Sequence, residues 1–269
     1  MKTIRIIMWV ILIISFPCLG FGDIVIDGRL THEYDAEAGA TYTGKIDVKN
    51  IGEEAEEVKL YQTDFESAAD GSSYYHPENT TPRSNAAWIT ISPKRFRIPA
   101  GGSYTVNYSL KVPKDETLAG TYWSILMVEP IPKESPESSD FDPAKTSLGI
   151  RTILRYAIRM ITHIEGTGSV QPQILSSKLS VEGEKRFLIV DVLNAGTRLA
   201  RVLLWSELYT EKGEFVGKYT GESLAVFPGS SVRFKVDLKE LPKTKYRALV
   251  VMDCGNNDFF GTNYTLNLE

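Results

Sequence analysis

The side chains of this chain that could do acid–base, nucleophilic or metal chemistry are few and scattered. There are three histidines, His32, His76 and His163. None stands at a metal-ligand spacing or beside a nucleophile motif. His76 lies in SSYYHPEN, a loop where Asp70 or Glu78 could join it on a metal, and His163 reads as a plain surface or interface residue. Cys254, in VVMDCGN, has no histidine in its sequence context and reads as a buried thiol near a strand end. Carboxylates are plentiful, but no spacing pairs them, so glycoside hydrolysis gains no support. Tyr74, Tyr75 and Trp88 could make a sugar-stacking platform, although Trp88 sits in the alternating WITIS as a core residue would. Trp123 and Trp205 also fall in strand patterns and read as core aromatics. The expectation is a protein without catalysis, cofactor or metal.

The remaining chemistry is recognition, and it points to residues 150–165, IRTILRYAIRMITHIE. Every second residue gives an apolar row that includes Leu154, Tyr156, Ile158 and Met160. The opposite face carries Arg151, Arg155 and Arg159. This is a β alternation with one apolar face and one basic face. As a single strand, 150–164 would span about 50 Å, far more than an ordinary strand needs. One reading is a closing strand that runs on into a hinge. The other is a strand whose apolar row serves a partner, with like charges that discourage self-pairing at an exposed edge.

The elements around it repeat. VKNIGEEAEEV (48–58) and VLNAGTRLARV (192–202) place Val, Asn, Gly and Val at one spacing. IPAGGSYTVNYSLKV (98–112) matches VFPGSSVRFKVDL (226–238), and GTYWSILMV (120–128) matches TKYRALVVM (244–252). Three matches in one order make a duplicated all-β unit. Short runs separated by Gly, Pro, Asn and Asp, without a long amphipathic helix, predict two tandem immunoglobulin-like β-sandwiches. The units are expected at 23–164 and 168–269, with Gly166–Ser169 as a short hinge. Insertions at 66–87 and 130–147 lengthen the first, and the acidic, Pro- and Ser-rich second insertion reads as a mobile, solvated linker. Residues 1–22, with Lys2, Arg5 and the run IIMWVILIIS, read as a secretory signal cleaved before Asp23. No later run approaches a membrane span. Losing Lys2 and Arg5 makes the formal charge of −4 two units more negative, which argues against nucleic acid as a partner.

In order, the secretory signal, the opening strand IVIDGRLTHEYDA, the N-x-G turn, WITISPKRFRIPAGGSYTVNYSLKVP, GTYWSILMVEP and the long alternating strand resemble the periplasmic pilus-assembly chaperones of the chaperone–usher pathway. The resemblance implies a chaperone-like assembly factor in the periplasm that donates its long strand to a β-rich, pilin-like subunit. An outer-membrane usher is the further partner it implies. It casts Leu154, Tyr156, Ile158 and Met160 as the donated row. In that family an arginine on the first strand and a lysine on the long strand hold the subunit's terminal carboxylate. Here the candidates are Arg29, out of step with the family position nearer Thr31, and Arg151, Arg155 and Arg159, since arginine also grips carboxylates. The chain is also similar to Gram-positive surface proteins that carry WxL-binding modules. That resemblance implies the alternative, a structural or adhesive protein at the cell surface.

Overall fold

The computed structural model describes residues 23–145, 152–183, 185–239 and 241–268, and among them the chain is two immunoglobulin-like β-sandwiches in tandem. The strands of the first are β1 (Ile24–Asp27), β2 (Thr31–Ala36), β3 (Thr41–Asn50), β4 (Glu56–Ser67), β5 (Ser73–Pro77), β6 (Ile89–Ser92), β7 (Arg95–Ile98), β8 (Ser103–Lys111), β9 (Thr121–Ile131) and β10 (Tyr156–Ile164). One sheet runs β1-β3-β8-β6 and the other β2-β10-β9-β4, with β5 and β7 both paired to β4. The second sandwich has β11 (Pro172–Glu182), β12 (Lys185–Asn194), β13 (Ala200–Thr210), β14 (Phe215–Val226), β15 (Ser231–Asp237), β16 (Lys245–Asp253) and β17 (Phe259–Asn267). Its sheets run β11-β12-β15 and β14-β13-β16-β17. Strand alternation sends Val106, Tyr108 and Leu110 of β8 inward against Val58 and Leu60 of β4, and Leu126 and Val128 of β9. Leu188, Val190 and Val192 of β12, with Phe234 and Val236 of β15, do the same in the second core.

The repeat rests on a buried asparagine. Asn50 donates from Nδ2 to the carbonyls of Glu54 (2.7 Å), Ile98 (3.1 Å) and Pro99 (3.2 Å), while its Oδ1 accepts from Gly52 N–H (2.9 Å). Asn194 donates to the carbonyls of Arg198 (2.8 Å) and Val226 (3.0 Å), and accepts from Gly196 N–H (3.0 Å). Each side chain therefore closes its own turn and ties that turn to the strand end that precedes the Pro-Gly break. The first two sequence matches are the two halves of one hydrogen-bonded joint.

Several expectations are corrected. The opening strand is two: β1 pairs antiparallel with β3, and β2 crosses to the other sheet and lies parallel to β10. Gly28, at φ 141°, makes the crossing in a region that side-chain-bearing residues avoid, and it leaves Arg29 exposed in the crossover instead of on a strand. The long strand begins only at Tyr156, because its register against β9 (Tyr156↔Val128) would next set Leu154 against Pro130, which has no N–H to give. Arg151 lies outside the described residues. Trp205 is half-buried on an outer face under the Lys218 ammonium, 3.8 Å from its ring centre.

The acidic insertion is held down over its described part instead of being a loose linker. Glu57 accepts from Arg95 Nε (2.6 Å) and from the Ser139 N–H (3.0 Å) and hydroxyl (3.1 Å). Arg97 pairs with Asp140 and Lys59 with Glu137, while Lys133 reaches Glu54. The Arg95 guanidinium draws the Glu57 carboxyl down to about 2 against the opposing effect of desolvation, with the Ser139 bonds assisting. Single surface pairs contribute little; several on one segment act together.

Candidate functional site

The candidate site is the leading end of β10 and the chain that enters it. From Arg159 to Ile164, β10 is closed on both sides, by β9 and by β2. From Tyr156 to Ile158 it pairs with β9 alone, and residues 152–155 belong to no strand. Here Ile153 is 36% exposed and Leu154 44%, beside a shallow groove lined by Ile24, Pro130 and Pro132. Leu30, 46% exposed, lies in the crossover just across the ladder, where its carbonyl accepts from Arg159 N–H (2.9 Å).

The structure divides the expected apolar row. Leu154 is exposed and Tyr156 half-buried, but Ile158 and Met160 are 0% and 1% exposed, inside the first core. A side-chain row offered to a guest from Leu154 through Met160 is not found, because the inner half lies in the core shared with β3 and β8 residues of the opposite sheet. The arginines divide as well. Arg155 Nε is 3.0 Å from Glu129 Oε2, and the same carboxylate takes the Tyr61 hydroxyl (2.7 Å), so Arg155 is committed within the domain. Arg159 is exposed with no side-chain partner among the described residues, and Arg29 stands two positions before Thr31, its ladder neighbour.

Behind the open edge, a polar cluster fastens β2 to the far sheet. Tyr108 sits between the Tyr34 hydroxyl (2.6 Å) and His32 Nδ1 (2.7 Å), its ring edge-on to the imidazole. Burial pushes the His32 pKa down, while a hydrogen bond to the Arg29 backbone opposes this and the Arg29 charge adds to it. The unfolded chain therefore takes up the His32 proton first. Stability from this group is full above the ordinary histidine pKa of about 6.5 and falls as pH drops from there through the lower folded value. In urea unfolding between pH 8 and 5, His32→Gln should lose stability less steeply than the parent protein. Parallel curves would remove His32 from the pH response.

Of the two readings of His163, surface or interface, the structure gives a buried interface: it is 6% exposed at the junction of the two sandwiches. The Thr121 hydroxyl accepts from Leu199 N–H (2.9 Å) and donates to His163 Nδ1 (2.8 Å), which leaves Nε2–H to donate to Glu33 Oε1 (2.6 Å). Arg201 completes the chain on Glu33 Oε2 (2.6 Å). Burial works to raise the Glu33 carboxyl, but the His163 and Arg201 bonds hold it below its ordinary value. Beside this cluster, Trp123, Ile161, Leu199 and Phe227 form an apolar seal, with Trp123 Nε1 donating to Phe65 O (2.7 Å). Gly120 and Gly168 have positive φ and touch: a Cβ on Gly168 would lie 2.5 Å from Gly120 Cα, and one on Gly120 would lie 2.0 Å from Thr197 O.

The other residues singled out by sequence do not converge. Tyr74 and Tyr75 point to opposite faces of β5, one against His76 and the other against Phe65, and Trp88 packs on Tyr122. No platform forms. His76 pairs with Glu66 (3.1 Å), and no group of three metal-binding side chains occurs among the described residues. Burial raises the Cys254 thiol to about 11. Sequence reasoning missed Asp64, which is fully buried and accepts from Thr80 N–H, Thr81 N–H and the Ser84 hydroxyl (2.5 Å), folding the first insertion back over the end of the sandwich.

No protein-family model matches the chain, and no curated protein does. Among solved structures it is similar to a chain of a chaperone–tip adhesin complex described as vital for CFA/I fimbriae biogenesis (13% identity, 91% of this chain and 98% of that one, TM-score 0.47). It is similar to the class 5 fimbriae chaperone CfaA (13%, 90% and 98%, 0.45). A third is a chain of the CsuC–CsuE pre-assembly complex of archaic chaperone–usher pili from Acinetobacter baumannii (16%, 90% and 98%, 0.42). Fimbrial chaperones recur in these names. At such identities and scores the likeness assigns neither a family nor an activity.

Proposed function

We propose that this protein is a periplasmic, chaperone-like assembly factor that binds a β-rich, pilin-like subunit by lending it backbone from residues 152–158. The observation that carries this reading is the open edge of β10 from Tyr156 to Ile158, continued by an unpaired lead-in with Ile153 and Leu154 exposed. A strand added there would gain affinity from ladder hydrogen bonds and specificity from Leu154 and Tyr156. Ile158 and Met160 root the lending strand in its own core. Arg159 and Arg29 are the side chains placed to meet a terminal carboxylate, and Arg151 belongs to the same segment. An outer-membrane usher would receive the complex, and the units responsible are 23–164 and 168–269.

Co-expression with β-rich, pilin-like subunits tests this. The parent protein should yield a complex in which amides of 152–158 are protected from exchange. The double variant Ile153→Asp, Leu154→Asp should keep its melting temperature within a few degrees, since both sites are exposed, and lose the complex. A complex that survives the double substitution, or that leaves 152–158 unprotected, would overturn the proposal.

A further inference from the structure

β17 ends its sheet. It pairs with β16 at nine consecutive positions without a bulge, and its other edge meets no strand among the described residues. The first sandwich covers the corresponding edge of β10 with β2; the second has no such strand.

Every other strand that ends a sheet carries a device that discourages pairing. β2 presents Glu33 and Asp35, and β15 presents Arg233 and Lys235. β11 begins at Pro172 and bulges between Ile174 and Ser176, and β14 shifts register twice. β1, β5, β6 and β7 have four or five residues. β17 reads FFGTNYTLN, with no charge and no proline.

Its sequence also complements itself. In an antiparallel pairing centred on Asn263, Phe260 faces Leu266 of the other copy, Thr262 faces Tyr264, and Gly261 faces Thr265. Asn263 meets its own counterpart. Phe260, Tyr264 and Leu266 belong to the second core, so the pairing extends that apolar layer across the joint. Aromatic–aliphatic and aromatic–β-branched cross-strand pairs are favourable, and no like charges oppose.

We propose that the outer edge of β17 pairs antiparallel with β17 of a second copy of this chain, with the two-fold axis at Asn263. The prediction is position-specific because an exposed residue on the axis faces itself. In sedimentation measurements over rising concentration, the purified protein should pass from one chain to two. Asn263→Lys and Asn263→Asp should each remain at one chain at the same concentrations, with melting temperatures unchanged. An equal mixture of the two variants should regain the two-chain species. A parent protein that stays at one chain, variants that associate as the parent does, or a mixture that stays at one chain would each overturn it. No subunit enters the experiment, so the result is independent of strand donation.

Discussion

Ile158→Asp is expected to unfold the first sandwich. The side chain is 0% exposed and packed within the cluster that holds Leu126, Met160 and Ile164. An aspartate there would bury a carboxylate without a partner, at a cost of several kcal/mol, against a typical total stability of about 5–15 kcal/mol. Circular dichroism should show loss of the cooperative transition of this unit, where Ile153→Asp, Leu154→Asp leaves it intact. A soluble Ile158→Asp protein that melts like the parent would show that β10 lends this side chain outward, contrary to the packing found here. The contrast separates what the strand does for its own fold from the role proposed for its lead-in.

Asn50→Asp and Asn194→Asp should be the next most damaging changes, although each replaces only an amide by an isosteric carboxylate. In the parent protein Asn50 Nδ2 faces three carbonyl oxygens and Asn194 Nδ2 faces two, all as acceptors. An aspartate oxygen in either place brings acceptor against acceptor at 1% or 0% exposure. The lost bonds and the stranded charge together cost on the order of 3–5 kcal/mol. Asn50→Asp should open 23–164 and leave a protease-resistant fragment near 168–269, and Asn194→Asp should do the reverse. Loss of both units together from either substitution would show that they do not fold as separate bodies. A melting profile unchanged by both substitutions would mean that these bonds do not hold the turns.

The duplicated sandwich was legible because the N-x-G turn and the Pro-Gly break are local signals, and the buried asparagine makes them one device. The length of β10 was not, because the residue that ends its ladder, Pro130, lies on the neighbouring strand; a proline acts on its partner's hydrogen bonds as well as its own. The partners of His163 were hidden for a similar reason. Thr121 and Glu33 are far away in sequence, and nothing near position 163 announces either. The acidic insertion looked loose because its composition hides the match to Arg95, Arg97 and Lys59, which only strand pairing lines up. At the candidate site, alternation pointed to the segment where the structure leaves a strand edge open. It could not show which half of the apolar row the domain keeps for itself.

The contact between Gly120 and Gly168 gives the junction a different character from the one its composition suggests. A glycine-bearing connector reads as a swivel, but here two backbones and the Thr197 carbonyl meet at distances that would exclude even a methyl group. Such a joint resembles the pivot of a caliper clamped at one setting. If the first sandwich binds a partner as proposed, one broad enough to touch the second would meet it at that setting, so its breadth, as well as its edge, would decide whether it fits.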